Sequence, residues 1–119
     1  MTVHRDIKRF DSPDESRTFD KGRFELVTIG DMTVGRASYE PGWKWSEHVG
    51  AATGSASCQV DHVGFVLTGR ARVRMDDGAE FDLKAGDLFA IGPGHDSWVI
   101  GDEPYVSLHF LGADEYAKE

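Results

Sequence analysis

The cysteine and the histidines are the side chains of this sequence that point to a defined chemistry. Three residues separate Cys58 from His62, and a tight hairpin between them would place both side chains on one face. Thiolate and imidazole donors suit Zn, Fe, Ni or Cu, whereas Mg and Ca prefer oxygen donors. Four ligands could come from Cys58, His62, His95 and either His48 or His109. We predict a divalent transition-metal site, for Zn or Fe first, with His48, Cys58, His62 and His95 as its ligands. A site with only three protein donors would leave a position for water or a substrate, which permits Lewis-acid chemistry.

Each of these residues also has an ordinary structural interpretation. Cys58 can be a small buried hydrophobic residue with an inert thiol, because free cysteines are among the most buried residue types. The carboxylate of Asp96 can orient His95 as a ligand or proton shuttle, or His95 can be a hydrogen-bonded loop residue. His48 is expected in an alternating strand, and His109 lines a pocket only if its face of the last strand is the inner one.

Other catalytic arrangements have little support in the sequence. No spacing of paired carboxylates for catalysis stands out, and there is no Ser-His-Asp order, no nucleotide-binding glycine loop and no Cys-x-x-Cys motif. Three acidic residues near the possible ligands are the candidates for general acid or base catalysis: Glu40, Glu47 and Asp61. Four large aromatic residues are expected in the core or an interface, or around an apolar ligand: Tyr39, Trp43, Trp45 and Trp98.

Length and composition predict one domain with no affinity for nucleic acid or membranes. The 119 residues fit a single core, and 39% of them are hydrophobic, which is enough to build a packed interior. The 21 Asp and Glu residues exceed the 13 Lys and Arg residues, and the net charge of −8 opposes binding to nucleic acid or anionic lipid. The one cysteine excludes an intrachain disulfide, and the first six residues lack the apolar region of a signal peptide. We therefore expect a cytoplasmic protein.

The elements that must position these side chains are strands. Fourteen glycines and four prolines divide the chain at intervals of roughly eight to twelve residues, which is typical of an all-β sandwich or barrel. Residues 23–29 and 32–39 read as strands joined by a tight turn at Gly30. Further strands are predicted at 88–91, as a buried strand, at 97–100 and at 105–111. The polar residues 1–22 form an N-terminal arm, in which we discount His4 as a ligand, and residues 113–119 form a C-terminal tail with at most a weak helical turn.

The clearest local pattern is the alternation of charged and apolar residues in RARVRM at 70–75. A three-residue turn at 76–78 leads into a second alternating segment, so the pair reads as a hairpin in which Met75 faces Ala79. That register places Arg74 opposite Glu80 and Arg72 opposite Asp82 on the solvent side. The remaining pair, Val73 and Phe81, is expected inside the domain.

Two segments, HVGFVLTG at residues 62–69 and GDLFAIGPGH at residues 86–95, resemble the two motifs of the cupin superfamily. The resemblance covers residues 35–111 and matches best at Gly69, Gly86 and Asp87. It implies an antiparallel double-stranded β-helix, or jelly-roll barrel, over residues 23–112, with a small-molecule pocket inside. Many cupins are homodimers that bind one divalent metal through three His and one Glu, and the resemblance implies a homodimer here.

The sequence departs from the cupin pattern at the usual ligands. Counting back from Gly69 places His62 at the position of the usual Glu, Cys58 at that of the second His and Ala56 at that of the first. In the second motif His95 comes two residues before the usual His position, where Ser97 stands. The site therefore has to be argued from its own residues, and a metal-dependent enzyme, a metal-free sensing or binding protein and a purely structural dimerisation module stay open.

Overall fold

The computed structural model describes residues 5–113. His4 and residues 114–119 of the predicted tail lie outside the described residues. Nine strands and two short helices make up this part of the chain. In chain order they are β1 (Glu15–Phe19), β2 (Gly22–Ile29), β3 (Met32–Tyr39), α1 (Trp45–His48), α2 (Gly50–Thr53), β4 (His62–Thr68), β5 (Arg70–Met75), β6 (Glu80–Lys84), β7 (Leu88–Ile91), β8 (His95–Ile100) and β9 (Tyr105–Leu111).

The strands form two antiparallel sheets, as an all-β jelly-roll barrel requires. One sheet has the order β1-β2-β3-β9-β4-β7 and the other has the order β6-β5-β8. Inward residues of both sheets meet in a core that includes Phe24, Val66 and Val73, each at most 2% exposed. The expected all-β class is confirmed. In the described residues no helix is long and apolar enough to cross a membrane.

Both predicted hairpins are present, and the second has the predicted register. Strands β2 and β3 pair from Gly22↔Tyr39 to Ile29↔Met32, and Gly30 has the positive φ of +57° that their tight turn needs. In the second hairpin Arg72 pairs with Asp82, and the Nε to Oδ1 distance is 2.7 Å. Phe81 is an exception, because it is 38% exposed although its partner Val73 is buried. The expectation that both would lie inside is wrong for Phe81.

Three local expectations differ from the structure. Residues 45–48 form a helical turn, α1, instead of an alternating strand that would contain His48. Strand β7 is not buried throughout, because Leu88 is 76% exposed and only Ile91 is fully enclosed. Strand β8 begins at His95 instead of residue 97, which places that histidine in the sheet.

The predicted arm contains ordered sheet. Strand β1 lies within residues 1–22 and pairs with β2 along its whole length. Before it, Asp14 accepts a hydrogen bond from the Thr28 amide, and the Phe10 ring lies 5.0 Å from the guanidinium carbon of Arg36. This segment therefore covers part of the outer face of the larger sheet, while the outer face of β4, β7 and β9 carries exposed apolar side chains.

Candidate metal centre

Cys58 is positioned by a bridge to the first residue of β8. The Cys58 amide donates to the His95 carbonyl at 2.6 Å, and the Gly94 amide donates to the Cys58 carbonyl at 2.7 Å. Residues 59–61 have no regular structure, so the predicted hairpin between Cys58 and His62 is wrong. The two side chains nevertheless converge, with 3.5 Å between Cys58 Sγ and His62 Nε2. Pairing with a strand distant in sequence, which local spacing cannot reveal, produces the proximity.

His62 and His95 reach the interior because of where their strands begin. His62 is the first residue of β4 and shares its buried face with Gly64 and Val66, in the alternation typical of a strand. His95 is the first residue of β8, and its face includes Ser97. Both imidazoles are nearly inaccessible to solvent, at 4% and 5% exposure, and their ring centroids lie 5.3 Å apart.

The tautomer of His95 is fixed by a backbone carbonyl. His95 Nδ1 lies 2.8 Å from the Gly92 carbonyl oxygen. Because a carbonyl can only accept, Nδ1 must carry the proton. The lone pair of the ring is then on Nε2, which is the arrangement that metal-binding histidines show when their second nitrogen is held by a carbonyl.

The three donors lie close enough together to share one metal ion. One ligand atom from each of Cys58, His62 and His95 lies within 4.8 Å of the others. Zn–S and Zn–N bonds of about 2.3 and 2.05 Å at the tetrahedral angle place sulfur and nitrogen about 3.6 Å apart. The observed Sγ to Nε2 distance of 3.5 Å agrees with that value. Within residues 5–113 this is the one His, Cys, Asp and Glu group with such spacing. The buried Cys/His/His group could therefore hold a metal ion.

Burial keeps all three donors uncharged in the absence of an ion. Desolvation raises the pKa of the Cys58 thiol to about 11, so the sulfur is protonated at neutral pH. Desolvation also lowers the pKa of His62 to about 2, and the nearby His109 and His95 rings add to the effect. The pKa of His95 is lowered as well, again chiefly by burial. The imidazoles are thus ready to bind a metal, whereas the thiol must first lose its proton.

His109 lies on the inner face of β9, but it is not one of the three grouped donors. It is 7% exposed, and its ring centroid lies 5.1 Å from that of His62. Its Nε2 is 2.9 Å from Ser107 Oγ, and burial lowers its pKa to about 4. Tyr105 and Ser107 lie on the same face of β9. Sequence analysis did not single out Ser107, although its alternation with His109 in the last predicted strand is a usable signal.

His48 does not join the group. Its Nδ1 accepts a hydrogen bond from the Lys44 amide at 2.9 Å, and its Nε2 lies 3.5 Å from Asp20 Oδ2. Both ring nitrogens therefore face residues outside the barrel interior. The predicted alternating strand is absent here, and the helical turn α1 directs this side chain toward the β1–β2 turn.

The group opens onto a small cavity between the two sheets. The cavity has a volume of about 40 Å³, and since one water needs about 10–15 Å³ it has room for a few waters or a small ligand. Its lining includes all three inward imidazoles, of His62, His95 and His109. The three acidic candidates for catalysis, Glu40, Glu47 and Asp61, are exposed and do not line the cavity. The aromatic residues Tyr39, Trp43 and Trp45 are buried and line it, whereas Trp98 is half-buried outside it.

Comparison with known proteins gives similar structures but no similar sequence. No family model matches the chain, and no curated protein matches it. A cupin-2 domain protein from Rhodospirillum rubrum superposes with a TM-score of 0.58 at 17% identity, over 90% of this chain and 66% of that one. A protein of unknown function from Rhizobium leguminosarum bv. viciae gives a TM-score of 0.59 at 20% identity, over 93% of this chain and 97% of that one.

The oxalate decarboxylase of Lactobacillus farciminis, solved as a formate complex, is a further similar structure. Its TM-score is 0.61 at 20% identity, over 93% of this chain and 35% of that one, so the present chain spans about a third of its length. The two sheets and these neighbours identify the fold as the cupin fold. It contains a buried Cys/His/His group with the spacing of a metal site.

Proposed function

We propose that this protein binds one divalent transition-metal ion inside its barrel through Cys58, His62 and His95. The observation that carries the proposal is the 3.5 Å separation of Cys58 Sγ and His62 Nε2, within a triad whose donor atoms all lie within 4.8 Å. Three protein donors leave a fourth position for water or a small ligand. The cavity beside the triad offers the space for it.

Zinc suits this donor set best, and iron is the next choice. A thiolate with two neutral imidazoles is a borderline-to-soft environment, and tetrahedral Zn accepts S and N ligands together. A bound ion would supply Lewis-acid chemistry at the open position. The protein's own part is to hold the imidazoles neutral, to fix the His95 tautomer and to keep the triad away from bulk water. A metal-dependent reaction of a small organic molecule is consistent with this arrangement, with its substrate left open.

The second candidate is a metal-free protein that binds or senses a small molecule. The same 3.5 Å contact favours it, because a protonated thiol can donate a hydrogen bond to His62 Nε2. The raised pKa of Cys58, to about 11, supports that protonated state. In this alternative the triad is a hydrogen-bonded structural feature and the cavity alone is functional.

Elemental analysis separates the two candidates. Protein purified without added metal should carry a transition metal, and the chelated protein should gain thermal stability when Zn²⁺ is returned. A metal content below about a tenth of an equivalent, together with no thermal shift on adding Zn²⁺ or Fe²⁺, would refute the first candidate, because a site binding the ion only when folded must stabilise the fold. A ligand that co-purifies and is released unchanged would then support the second.

Self-association and location complete the proposal. Six apolar side chains share the outer face of β4, β7 and β9, which we term the apolar face: Val63, Phe65, Leu67, Leu88, Leu108 and Phe110. None of them is ionisable, so two copies can meet there although each carries a net charge of −8. We propose a homodimer through this face.

We also propose a cytoplasmic location, because it would keep the Cys58 thiol reduced, as metal binding requires.

A further inference from the structure

Two buried hydrogen-bond donors at the cavity lack acceptors. Trp43 and Trp45 flank Lys44 at the start of α1, are 1% and 4% exposed, and both line the cavity. Neither indole Nε1–H has a hydrogen-bond partner among the described residues. Buried donors are satisfied in the great majority of proteins, because losing water without gaining an acceptor is costly. Each indole N–H could therefore bond to an acceptor that the described residues do not supply.

The two rings cannot easily turn away from where they are. Trp43 stacks face to face on Tyr39 with 3.7 Å between ring centroids and an interplanar angle of 1°. Trp45 packs so closely on Gly50 that a Cβ added there would lie 2.6 Å from its Cζ3 atom. A rotation of either indole toward another acceptor would disturb these contacts. The donors are thus fixed in the free protein, which lowers the entropic cost of binding an acceptor.

The lining has other polar side chains, but among the described residues none of them accepts a hydrogen bond from either indole. His95 Nδ1 is committed to the Gly92 carbonyl, and His109 Nε2 is 2.9 Å from Ser107 Oγ. No Asp or Glu among residues 5–113 lines the cavity. An indole nitrogen can only donate a hydrogen bond, so a ligand that satisfies these two indoles must carry acceptors. Carboxylates and other oxyanions are such ligands, and a cation of the same size is not.

We infer that Trp43 and Trp45 are specificity-determining residues that donate their indole N–H groups to a small oxyanion, such as a short carboxylate, held in the interior cavity. The cavity volume of about 40 Å³ limits the ligand to a few non-hydrogen atoms. The inference rests on the proposed function in one respect: in the metal-bound protein, the same oxyanion would be the ligand at the fourth position. The two indoles, however, belong to the metal-free protein as well, so the ligand preference can be tested without any ion.

The test uses acetate as the probe and methylammonium as a donor-only control, with metal-free and Zn²⁺-loaded protein. Substitutions Trp43→Phe and Trp45→Phe keep an aromatic ring and remove the donor, and Trp98→Phe is the matched control outside the cavity. Each cavity variant should bind acetate about 10- to 100-fold more weakly, as expected for one hydrogen bond to a charged acceptor. The control should bind as the parent protein does, and Zn²⁺ affinity should be unchanged in all three.

Indole ¹⁵N–¹H spectra of the unmutated protein keep the test independent of how well the variants fold. The sequence has three tryptophans, so three indole signals are expected. Acetate should shift the signals of Trp43 and Trp45 and leave that of Trp98 in place. Equal acetate affinity in the cavity variants, equal binding of methylammonium, or two unmoved signals would overturn the inference and indicate that water alone fills the cavity. Failure of the metal proposal would instead appear as absent Zn²⁺ binding with acetate binding retained in the metal-free protein.

Discussion

The backbones of Cys58 and His95 are joined by a β-bridge, with the Cys58 amide donating to the His95 carbonyl at 2.6 Å. This bridge fixes two of the three donors of the triad relative to one another through the main chain. The third donor, His62, is the first residue of β4, whose partner β7 ends at Ile91, four residues before His95. The geometry of the triad is therefore built by the sheet and does not depend on an ion to create it.

Removing a donor should abolish metal binding, and removing His48 should not. We expect Cys58→Ser, His62→Ala and His95→Ala to weaken Zn²⁺ binding by more than about 100-fold, because even residues that only hydrogen-bond to a metal ligand contribute about 10- to 100-fold. His48→Ala is the control, since its ring faces Lys44 and Asp20. Competition with a chromophoric chelator measures the affinities. Equal loss in the His48 variant, or retention in all three donor variants, would show that the triad is not the site.

Metal binding should release about one proton at neutral pH. The Cys58 thiol, with a pKa raised to about 11, is protonated in the free protein, while His62 and His95 are already neutral. Binding therefore displaces the thiol proton alone, and the apparent affinity should rise about tenfold per pH unit up to the thiol pKa. Calorimetry in buffers of different ionisation enthalpy counts the protons. A release near zero would mean that the sulfur is not a ligand.

The metal-free protein should lose stability as the pH falls below about 6.5. Burial lowers the pKa of His109 to about 4 and that of His62 to about 2 in the folded state, whereas unfolded histidines titrate near 6.5. The unfolded chain therefore binds more protons below that pH, and each histidine removes up to about 1.4 kcal/mol of unfolding free energy per pH unit. The effect of each residue stops at its own folded pKa.

Urea unfolding with a chelator present, at several values between neutral and mildly acidic pH, measures this dependence. His109→Gln should make the slope shallower by about one proton, because one buried imidazole is lost. A stability that stays flat through the histidine range would contradict the buried, neutral state of these rings.

A charge on the apolar face should break the proposed dimer. Leu88 is 76% exposed on β7, and Leu88→Lys would place an ammonium group in the contact. Ile7→Lys is the control, because Ile7 is 87% exposed but lies in the segment before β1. Sedimentation velocity should show a dimer for the parent and the control and a monomer for the Leu88 variant. A parent protein that is monomeric at every concentration would refute the dimer.

The parts of the fold that depend on interactions between residues close in sequence were predictable, and the parts that depend on distant residues were not. The register of β5 and β6 was readable because charge and hydrophobicity alternate within a few residues, as the pair Arg72 and Asp82 demonstrates. The exposure of Leu88 was not readable, because an apolar residue on the outer face of an edge strand has the same local pattern as a buried one.

The site was predictable in its residue types and only partly in its arrangement. Cys58, His62 and His95 were identified by donor chemistry and by the cupin resemblance, and the structure brings them together. His48 was included as a possible fourth imidazole donor, but the chain forms α1 there and the ring does not reach the group. The Cys58–His95 bridge joins segments far apart in the sequence, and no spacing within either segment encodes it.

The position of His95 two residues before Ser97 has a consequence for how such barrels diversify. Both side chains point inward, because neighbours of the same parity lie on one face of a strand. Successive inward positions on one strand lie about 7 Å apart, so a donor residue can occupy either of two such positions and still face the interior. A search that demands a fixed motif spacing would pass over such relocated donors, whereas one that compares strand faces would recover them.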